Sequence, residues 1–311
     1  MALHLLTLAG GLALLMVAAS GLVRGASALA LRFGLSPLIV GLTVVAFGTS
    51  APELVVSVQA TLAGAGGIAV GNVVGSNIAN VGLILGIAVL VRPIASDRSV
   101  LRRDLPALLA ATALAAVFLL DRQASAWEGA FLLAALFAYL AWSLTLARRE
   151  GAAPEIASGA RGPAWRDALF VVLGLAGLVV GADLFVGAAT ALAEAAGVSN
   201  AVIGLTVVAL GTSLPELATS VVAAWRGEGS IAVGNVIGSN LFNLLGILGV
   251  AALVRPIVVP GLQPLDVAVM GAFVLILVPM MLSGRRLVRA EAGVLIAGYA
   301  GYMVYLGALH G

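Results

Sequence analysis

Two glutamates stand in the middle of long apolar stretches, where an ionised side chain is costly. Glu53 lies in the segment GLTVVAFGTSAPEL, and Glu216 lies in the segment GLTVVALGTSLPEL. A carboxylate in the middle of such an apolar stretch is tolerated when it faces a polar cavity and has a partner that compensates its charge. No arginine or lysine lies at a comparable depth in the same stretches, so the simplest partner is a cation. A pair of protonated glutamates hydrogen-bonded inside a helix bundle is the alternative.

Each glutamate directly follows a proline in the pattern G-T-S-x-P-E. Pro52 and Pro215 lack an amide hydrogen and push away the carbonyl four residues earlier, so we expect a kinked helix with bare carbonyl oxygens. Thr49 and Thr212 precede the glutamates by four residues and therefore lie on the same helix face. The two segments supply hydroxyl and backbone oxygens from Ala46, Thr49, Ser50, Ala209, Thr212 and Ser213.

A second polar pattern, G-N-x-x-G-S-N-x-x-N, follows in the next apolar stretch of each copy. Ser76 and Asn80 share a helix face, as do Ser239 and Asn243. Glycines four residues apart favour close helix packing, which is our interpretation of Gly71, Gly75, Gly234 and Gly238. Helix-to-helix hydrogen bonding is at least as favoured as ion contact for Asn72, Asn77, Asn235 and Asn240.

The pooled side chains offer oxygen atoms only. Hard cations such as Ca²⁺ and Na⁺ prefer such ligands, whereas zinc and copper prefer nitrogen or sulfur. The chain has no cysteine, and its two histidines stand at positions 4 and 310. Two carboxylates match one Ca²⁺ or two Na⁺, so the ions would compete. The candidate metal ligands are Glu53, Glu216, Thr49, Thr212, Ser76, Ser239, Asn80, Asn243, Ala46, Ala209, Ser50 and Ser213.

The two copies are an internal duplication. A shift of 163 positions aligns residues 41–94 with 204–257 without a gap, and 36 of the 54 pairs are identical. We expect a first repeat at 1–147, a cytoplasmic linker at 148–166 and a second repeat at 167–311. Each repeat holds an odd number of spans, five, so the second must cross the membrane in the opposite sense, which predicts a site near mid-membrane.

Composition places the chain in a membrane. Its 311 residues are 62% hydrophobic and 10% charged, with a mean hydropathy of +1.16, which is typical of membrane proteins. We predict an all-α integral membrane protein with ten spans. They lie at about 3–31, 38–62, 69–91, 104–120, 126–147, 167–196, 201–225, 232–254, 264–282 and 289–309, each long enough to cross about 30 Å of hydrocarbon.

Arginine distribution orients these spans. Thirteen of the sixteen arginines fall in loops after odd-numbered spans, which are therefore cytoplasmic by the excess of positive charge. Both termini then face outward, and the cell (plasma or inner) membrane is the expected location. A net charge of +2 disfavours nucleic-acid binding, and the residues give no support to an enzyme or a bound cofactor. Oligomeric state does not follow from the sequence, and a monomer suffices for transport.

The duplicated motifs closely resemble those of the Ca²⁺/cation antiporter superfamily, specifically the sodium/calcium exchanger family with its two α-repeats. The resemblance implies Na⁺/Ca²⁺ antiport by alternating access, with Glu53, Glu216 and the carbonyls of Thr49 and Thr212 holding Ca²⁺. It implies flanking Na⁺ sites at Ala46, Thr49, Ser76 and Glu216, and at Ala209, Thr212, Ser239 and Glu53. Asn80 and Asn243 would line the middle, and the first and sixth spans would slide as a gate.

One position departs from the family pattern, since many exchangers of this branch carry Asp where Asn243 stands. The resemblance implies electrogenic exchange, but the missing acid leaves the ion count open. A proton- or potassium-linked Ca²⁺ antiporter and a passive cation channel remain alternatives. Arg24 and Asp183 lie within the first and sixth spans. They could form a gating ion pair, although solvation near the surface is the favoured interpretation.

Overall fold

A computed structural model of the protein describes residues 1–150, 163–196, 209–259 and 262–310. The described residues are almost entirely helical, which confirms the all-α class. The helices are α1 (Ala2–Phe33), α2 (Pro37–Thr49), α3 (Ala51–Leu62), α4 (Gly66–Val91), α5 (Leu105–Phe118), α6 (Ala126–Glu150), α7 (Ala164–Ala195), α8 (Ala209–Gly211), α9 (Leu214–Arg226), α10 (Gly229–Val254), α11 (Pro264–Leu282) and α12 (Arg289–His310).

Among the described residues, six helices are long and apolar enough to cross a membrane, and the bent pair of α2 and α3 makes a seventh. The six are α1, α4, α6, α7, α10 and α11. A helix occupies part of every predicted span, but residues 197–208, at the start of the seventh, lie outside the described residues. The count of ten therefore stays a prediction, as do the domain boundaries.

The predicted proline kink is a complete break in the helix. We expected one bent helix over residues 38–62, whereas α2 ends at Thr49 and α3 begins at Ala51 with a bend of 45° between them. Pro52 stands in the first turn of α3, where a missing amide hydrogen breaks no helical hydrogen bond. Pro215 has the same place in α9. Proline thus starts a new half-helix in each repeat.

The two longest helices, α1 and α7, pack antiparallel through glycines. A Cβ atom added to Gly11 would come within 2.8 Å of the Phe185 backbone nitrogen, and one added to Gly174 within 2.8 Å of the Leu22 nitrogen. These two contacts are exchanged by the same shift of 163 residues. Small residues allow the two backbones to approach closely in a bilayer.

Among the described residues, four two-residue strands that the sequence did not predict join the two repeats. They are β1 (Ile94–Ala95), β2 (Gln123–Ala124), β3 (Ile257–Val258) and β4 (Arg286–Leu287). Strand β1 pairs antiparallel with β4, and β2 with β3. Each pair joins one strand from each repeat, and the repeat shift exchanges the two pairs. Strands this short carry no alternating pattern that could have predicted them.

The sequence also did not predict a buried polar cluster that lies outside the duplicated motifs. Arg103 donates to Asp104 at 2.7 Å, and the Tyr139 hydroxyl donates to the same carboxylate at 2.9 Å. In the second repeat the Tyr302 hydroxyl donates to Asp266 at 2.9 Å. The two tyrosines are 163 residues apart, which is the one signal that could have linked them. The cluster ties α6 to the start of α5, and its equivalent ties α12 to α11.

The packing interpretation of the motif glycines holds in the second repeat. Added Cβ atoms on Gly234 and Gly238 would each lie 2.6 Å from a carbonyl oxygen of α2. Within the described residues, nothing lies within 4 Å of such atoms on Gly71 and Gly75. By the repeat shift, their counterpart contacts fall at positions 201–209, most of which lie outside the described residues.

The suggested ion pair between Arg24 and Asp183 is absent from the described part of the chain. The Arg24 guanidinium lies over the Phe170 ring, 5.2 Å from its centroid, and both charged residues are exposed. The interpretation that each is solvated at a surface agrees with this arrangement.

Candidate cation site between the repeats

Reciprocal hydrogen bonds connect the two motif glutamates across the repeat boundary. The Ser50 hydroxyl donates to Glu216 Oε1 at 2.8 Å, and the Ser213 hydroxyl donates to Glu53 Oε1 at 3.1 Å. A shift of 163 residues turns each bond into the other. Both glutamates are 1% exposed. The carboxylate of each repeat is therefore held by the serine of the opposite repeat, at one buried interface.

The breaks in the helices determine where these serines and glutamates lie. Ser50 (φ −84°, ψ 6°) and Ser213 (φ −90°, ψ 5°) adopt the sparsely populated bridge conformation between two half-helices. Glu53 and Glu216 then fall in the first turns of α3 and α9. The unpaired N–H groups at a helix start carry partial positive charge, which stabilises a carboxylate. The backbone thus partly compensates the burial of two acids.

Two motif asparagines bind the half-helices to their neighbours. The Asn72 amide donates to the Glu53 carbonyl at 3.1 Å and to the Ser57 hydroxyl at 2.9 Å. In the second repeat, Asn235 makes the equivalent bonds to the Glu216 carbonyl and to the Ser220 hydroxyl, at 3.4 and 3.0 Å. The bonds run from helix to helix, which was one of the two roles considered for these residues.

Asn235 has a further contact that crosses between the repeats. The Thr49 hydroxyl donates to its side-chain oxygen at 3.1 Å and also points to the Val45 and Ala46 carbonyls, at 3.0 and 3.3 Å. The Ala46 carbonyl in addition accepts from the Ser50 N–H at 3.0 Å. Ala46 and Thr49 are thus buried within an existing network.

Most of the buried polar atoms without a partner belong to the two motifs. Within the described residues these are Glu53 Oε2, Glu216 Oε2, Thr212 Oγ1, Ser239 Oγ, Asn77 Oδ1, Asn80 Oδ1, Asn240 Nδ2 and both amide atoms of Asn243; the hydroxyls of Ser96, Ser143 and Thr219 are the others. An unpaired buried polar atom is destabilising, so each such group calls for an explanation. A cation would satisfy the oxygens among them.

The two central asparagines differ in their contacts although they are repeat equivalents. Asn80 donates to the Asn240 side-chain oxygen at 3.1 Å, whereas Asn243 makes no side-chain hydrogen bond within the described residues. Each stands in a π-helical turn, Asn80–Leu85 or Phe242–Ile247. Such turns occur frequently at functional sites. No proline marks these turns, so no local sequence signal predicts them.

The remaining candidates are close to these groups in sequence and are largely buried. Ser76 is 5% exposed and Ser239 0%. Ala209 begins the short helix α8, and its side chain lies outside the described residues. Within the described residues neither glutamate forms an ion pair, and no three His, Cys, Asp or Glu side chains cluster. A cation here would therefore need hydroxyl, amide and carbonyl oxygens besides the two carboxylates.

Comparison with known proteins agrees with this geometry. The model of the sodium/calcium exchanger protein family matches residues 3–145 and 167–308. The chain belongs to the sodium/calcium exchanger family. Members of this family are membrane transporters that exchange Na⁺ and Ca²⁺, and the match confirms the resemblance found in the motifs. The site thus lies in a membrane exchanger.

Several exchanger-family relatives match over nearly their full length. The putative antiporter CaxA of Alkalimonas amylolytica is 39% identical, covering 95% of this chain and 96% of the relative. The sodium/calcium exchanger MaX1 of Methanosarcina acetivorans is 36% identical, with 95% and 96% covered. A solved structure of the sodium-calcium exchanger NCX_Mj matches with a TM-score of 0.86 and 33% identity, covering 97% of this chain and 98% of that one.

The network predicts unequal roles for the two bridging asparagines. Asn235→Leu removes three inter-helix hydrogen bonds and should lower the free energy of unfolding by about 2 kcal/mol, since such bonds average about 0.6 kcal/mol in a membrane protein. Asn72→Leu removes two and should cost about 1 kcal/mol. Unfolding in detergent, followed by tryptophan fluorescence, measures both. Equal losses would contradict the additional bond from Thr49.

Proposed function

We propose that this protein is a secondary active antiporter that exchanges Na⁺ for Ca²⁺ across the cell (plasma or inner) membrane. The reciprocal serine–glutamate bonds carry the proposal, because they bring one carboxylate from each repeat to a common buried interface. The family membership and the relative named as a sodium/calcium exchanger support it. The structural relative was also studied after soaking with Na⁺ and Ca²⁺.

Calcium would be held between the two repeats. Glu53 and Glu216 supply two negative charges, and the backbone carbonyls of Thr49 and Thr212 add neutral oxygens. Each glutamate has one carboxylate oxygen held by serine and a second, Oε2, that has no hydrogen bond within the described residues. The Oε2 atoms are therefore available to an ion, while the serine hydrogen bonds to the Oε1 atoms fix the orientation of the carboxylates. Ca²⁺ prefers six to eight oxygens with carboxylates among them.

Sodium would occupy flanking sites that share the same carboxylates. One site would use Ala46, Thr49, Ser76 and Glu216, and the other Ala209, Thr212, Ser239 and Glu53. The hydroxyls of Thr212 and Ser239 have no hydrogen-bond partner in the described part of the chain, which supports the second set. Asn80 and Asn243 would line the middle, and Ser50 and Ser213 keep lone pairs available to an ion while donating their hydrogens. Because the sites share carboxylates, bound Na⁺ and Ca²⁺ exclude one another.

Alternating access would follow from ten spans in two inverted repeats, with both termini outside. In this arrangement α1 and α7 form a pair that slides against the other helices. The uneven burial of equivalent positions supports such a motion. Ala218 and Val222 of α9 are 8% and 2% exposed, while their equivalents in α3, Val55 and Gln59, are exposed. The second half-helix is covered and the first is open, as expected for a state that faces outward.

Exchange is electrogenic when the number of Na⁺ per Ca²⁺ differs from two, and the family pattern implies three. The site provides two acids and has Asn243 in place of a third, so the third Na⁺ would rely on neutral oxygens. The unpartnered amide of Asn243 offers one. A channel remains the principal alternative of a different class, and protons or potassium remain alternative coupling ions.

Counterflow of radioactive Ca²⁺ separates these functions. Proteoliposomes loaded with Na⁺ should accumulate ⁴⁵Ca²⁺, because the outward Na⁺ gradient drives its entry, and replacing internal Na⁺ by K⁺ or by a proton gradient should abolish this accumulation. If one net charge moves per cycle, a clamped potential of 100 mV should change the accumulation ratio by about 50-fold. Uptake that is indifferent to internal Na⁺ would contradict antiport and favour a channel.

The two glutamates should each be essential for transport but not for folding. Glu53→Gln and Glu216→Gln keep the side-chain shape and remove the charge, so ⁴⁵Ca²⁺ exchange should fall at least about 100-fold, because even the loss of an outer-shell partner of a metal ligand costs about 10- to 100-fold. Gel filtration checks that each variant is folded. Glu291→Gln, at the partly exposed start of α12 and outside the site, serves as the matched control, since glutamine can still accept the hydrogen bond from the Val288 N–H. Near-normal exchange in either site variant would disprove the ligand assignment.

A further inference from the structure

Helix α1 is tied by polar side chains to the turn between α9 and α10. The Arg226 guanidinium donates to the Ser20 hydroxyl, and the Ser27 hydroxyl donates to Glu228 Oε1 at 3.1 Å. Ser20 and Ser27 are seven residues apart and therefore lie on the same face of α1. The turn between α9 and α10 thus holds α1 at two points, two helical turns apart.

The other repeat has the same turn without the same side chains. Gly227, between the two charged residues, has φ +86°, and its equivalent Gly64 has φ +77°. The residues on either side of Gly64 are Ala63 and Ala65, whose side chains have no polar atom. Both repeats therefore have the same backbone conformation in this turn, but only the second repeat has the side chains that bind α1.

The difference in burial between α9 and α3 parallels the difference between the turns that follow them. Helix α9, which ends at the polar turn, is covered, whereas α3, which ends at the alanine turn, is open. Helix α1 is therefore closed over α9, the half-helix that is followed by the turn with polar contacts. If the two repeats were identical, the two arrangements would have equal free energies. A free-energy difference between them must therefore come from positions where the repeats carry different residues.

We propose that Ser20, Ser27, Arg226 and Glu228 form a one-sided latch that favours the arrangement with α1 closed over α9. The proposal rests on the proposed alternating access. Arg226 and Glu228 are positioning residues: they lie at the end of the membrane-spanning helices, and their contacts with α1 set the resting ratio of the two access states. The latch is absent from the mirror-image arrangement, because Ala63 and Ala65 cannot form it.

Cysteine accessibility tests the latch, since the chain has no cysteine of its own. Val222→Cys reports on the covered half-helix, and Gln59→Cys reports on its open equivalent. Labelling of the full-length protein in lipid nanodiscs with a water-soluble maleimide gives the ratio of the two rates. Ser27→Ala should raise the labelling rate at position 222 relative to position 59 by about fivefold, a typical coupling between two states.

Three further variants accompany this measurement. Ser230→Ala removes a similar exposed bond, from the Ser230 hydroxyl to Asp97 Oδ2 at 3.1 Å, which does not involve α1 and should leave the ratio unchanged. Arg226→Ala should shift the ratio as Ser27→Ala does, and Arg226→Gln, which keeps donor groups, should restore part of it. A purely structural role for Arg226 would not change the ratio in this graded way.

A mirror-image variant adds an independent test. Position 63 is the repeat equivalent of Arg226, and Asp183 on α7 is the repeat equivalent of Ser20. Ala63→Arg places a guanidinium where it can meet Asp183 in the opposite arrangement, so it should shift the labelling ratio in the same direction as Ser27→Ala. This variant adds a contact and removes none, and the unchanged protein provides its reference.

Unchanged ratios in Ser27→Ala and Arg226→Ala, both folded by gel filtration, would overturn the latch. An equal shift in Ser230→Ala would overturn it as well, because the effect would then be general loosening of the structure. Labelling does not depend on transport. Absence of Na⁺-driven ⁴⁵Ca²⁺ uptake by the unchanged protein would therefore refute the proposed function alone, while the labelling ratio would still decide the latch.

Discussion

Two carboxylates share one buried interface, and within the described residues no basic side chain pairs with either of them. An isolated charge in a bilayer interior is strongly unfavourable, and two like charges at one interface add repulsion to that cost. The chain offsets part of it with two helix starts and two serine hydroxyls. A bound cation would offset the remaining charge. The broken helices, the asparagine bonds and the close glycine packing can all be understood as means of holding this unstable pair in place.

The constraint also explains how binding one ion can exclude another. A site of fixed shape with its own counter-charge would bind cations independently of each other. Here the same two carboxylates serve every proposed site, so each ion that binds removes the negative charge that would attract the next. Competition for ligands then provides the coupling, without a separate device to sense which ion is bound.

Much of this arrangement follows from the sequence. The shift of 163 residues identified the repeats, Glu53 and Glu216 stood out by their depth, and the prolines marked the places where helices end. The partners of the glutamates could not be predicted, because a repeat shows which residues are equivalent but not which repeat supplies the serine to which carboxylate. The two strand pairs could not be predicted either, because strands of two residues carry no alternating pattern. The π-helical turns at Asn80 and Asn243 depend on packing between helices, which no local pattern records.

The structure also departs from the symmetry of its own sequence. Within the described residues, Thr49 donates to several acceptors while its equivalent Thr212 has no hydrogen-bond partner, and the Asn80 amide has a partner while that of Asn243 has none. A transporter that alternates between two arrangements must break its internal symmetry in each of them, since one face is open when the other is closed. Residues that lost their equivalence after duplication, such as Arg226 and Ala63, are able to make the two arrangements unequal in free energy.

The most direct test of the shared-carboxylate site is a crystal structure of the protein soaked with Ca²⁺, with the ion located by its anomalous scattering. We expect one Ca²⁺ peak between α3 and α9, within about 2.3 to 2.6 Å of a carboxylate oxygen from both Glu53 and Glu216. A peak bound to only one of them, or a Ca²⁺ site elsewhere with both glutamates still bonded to serine alone, would contradict the central claim.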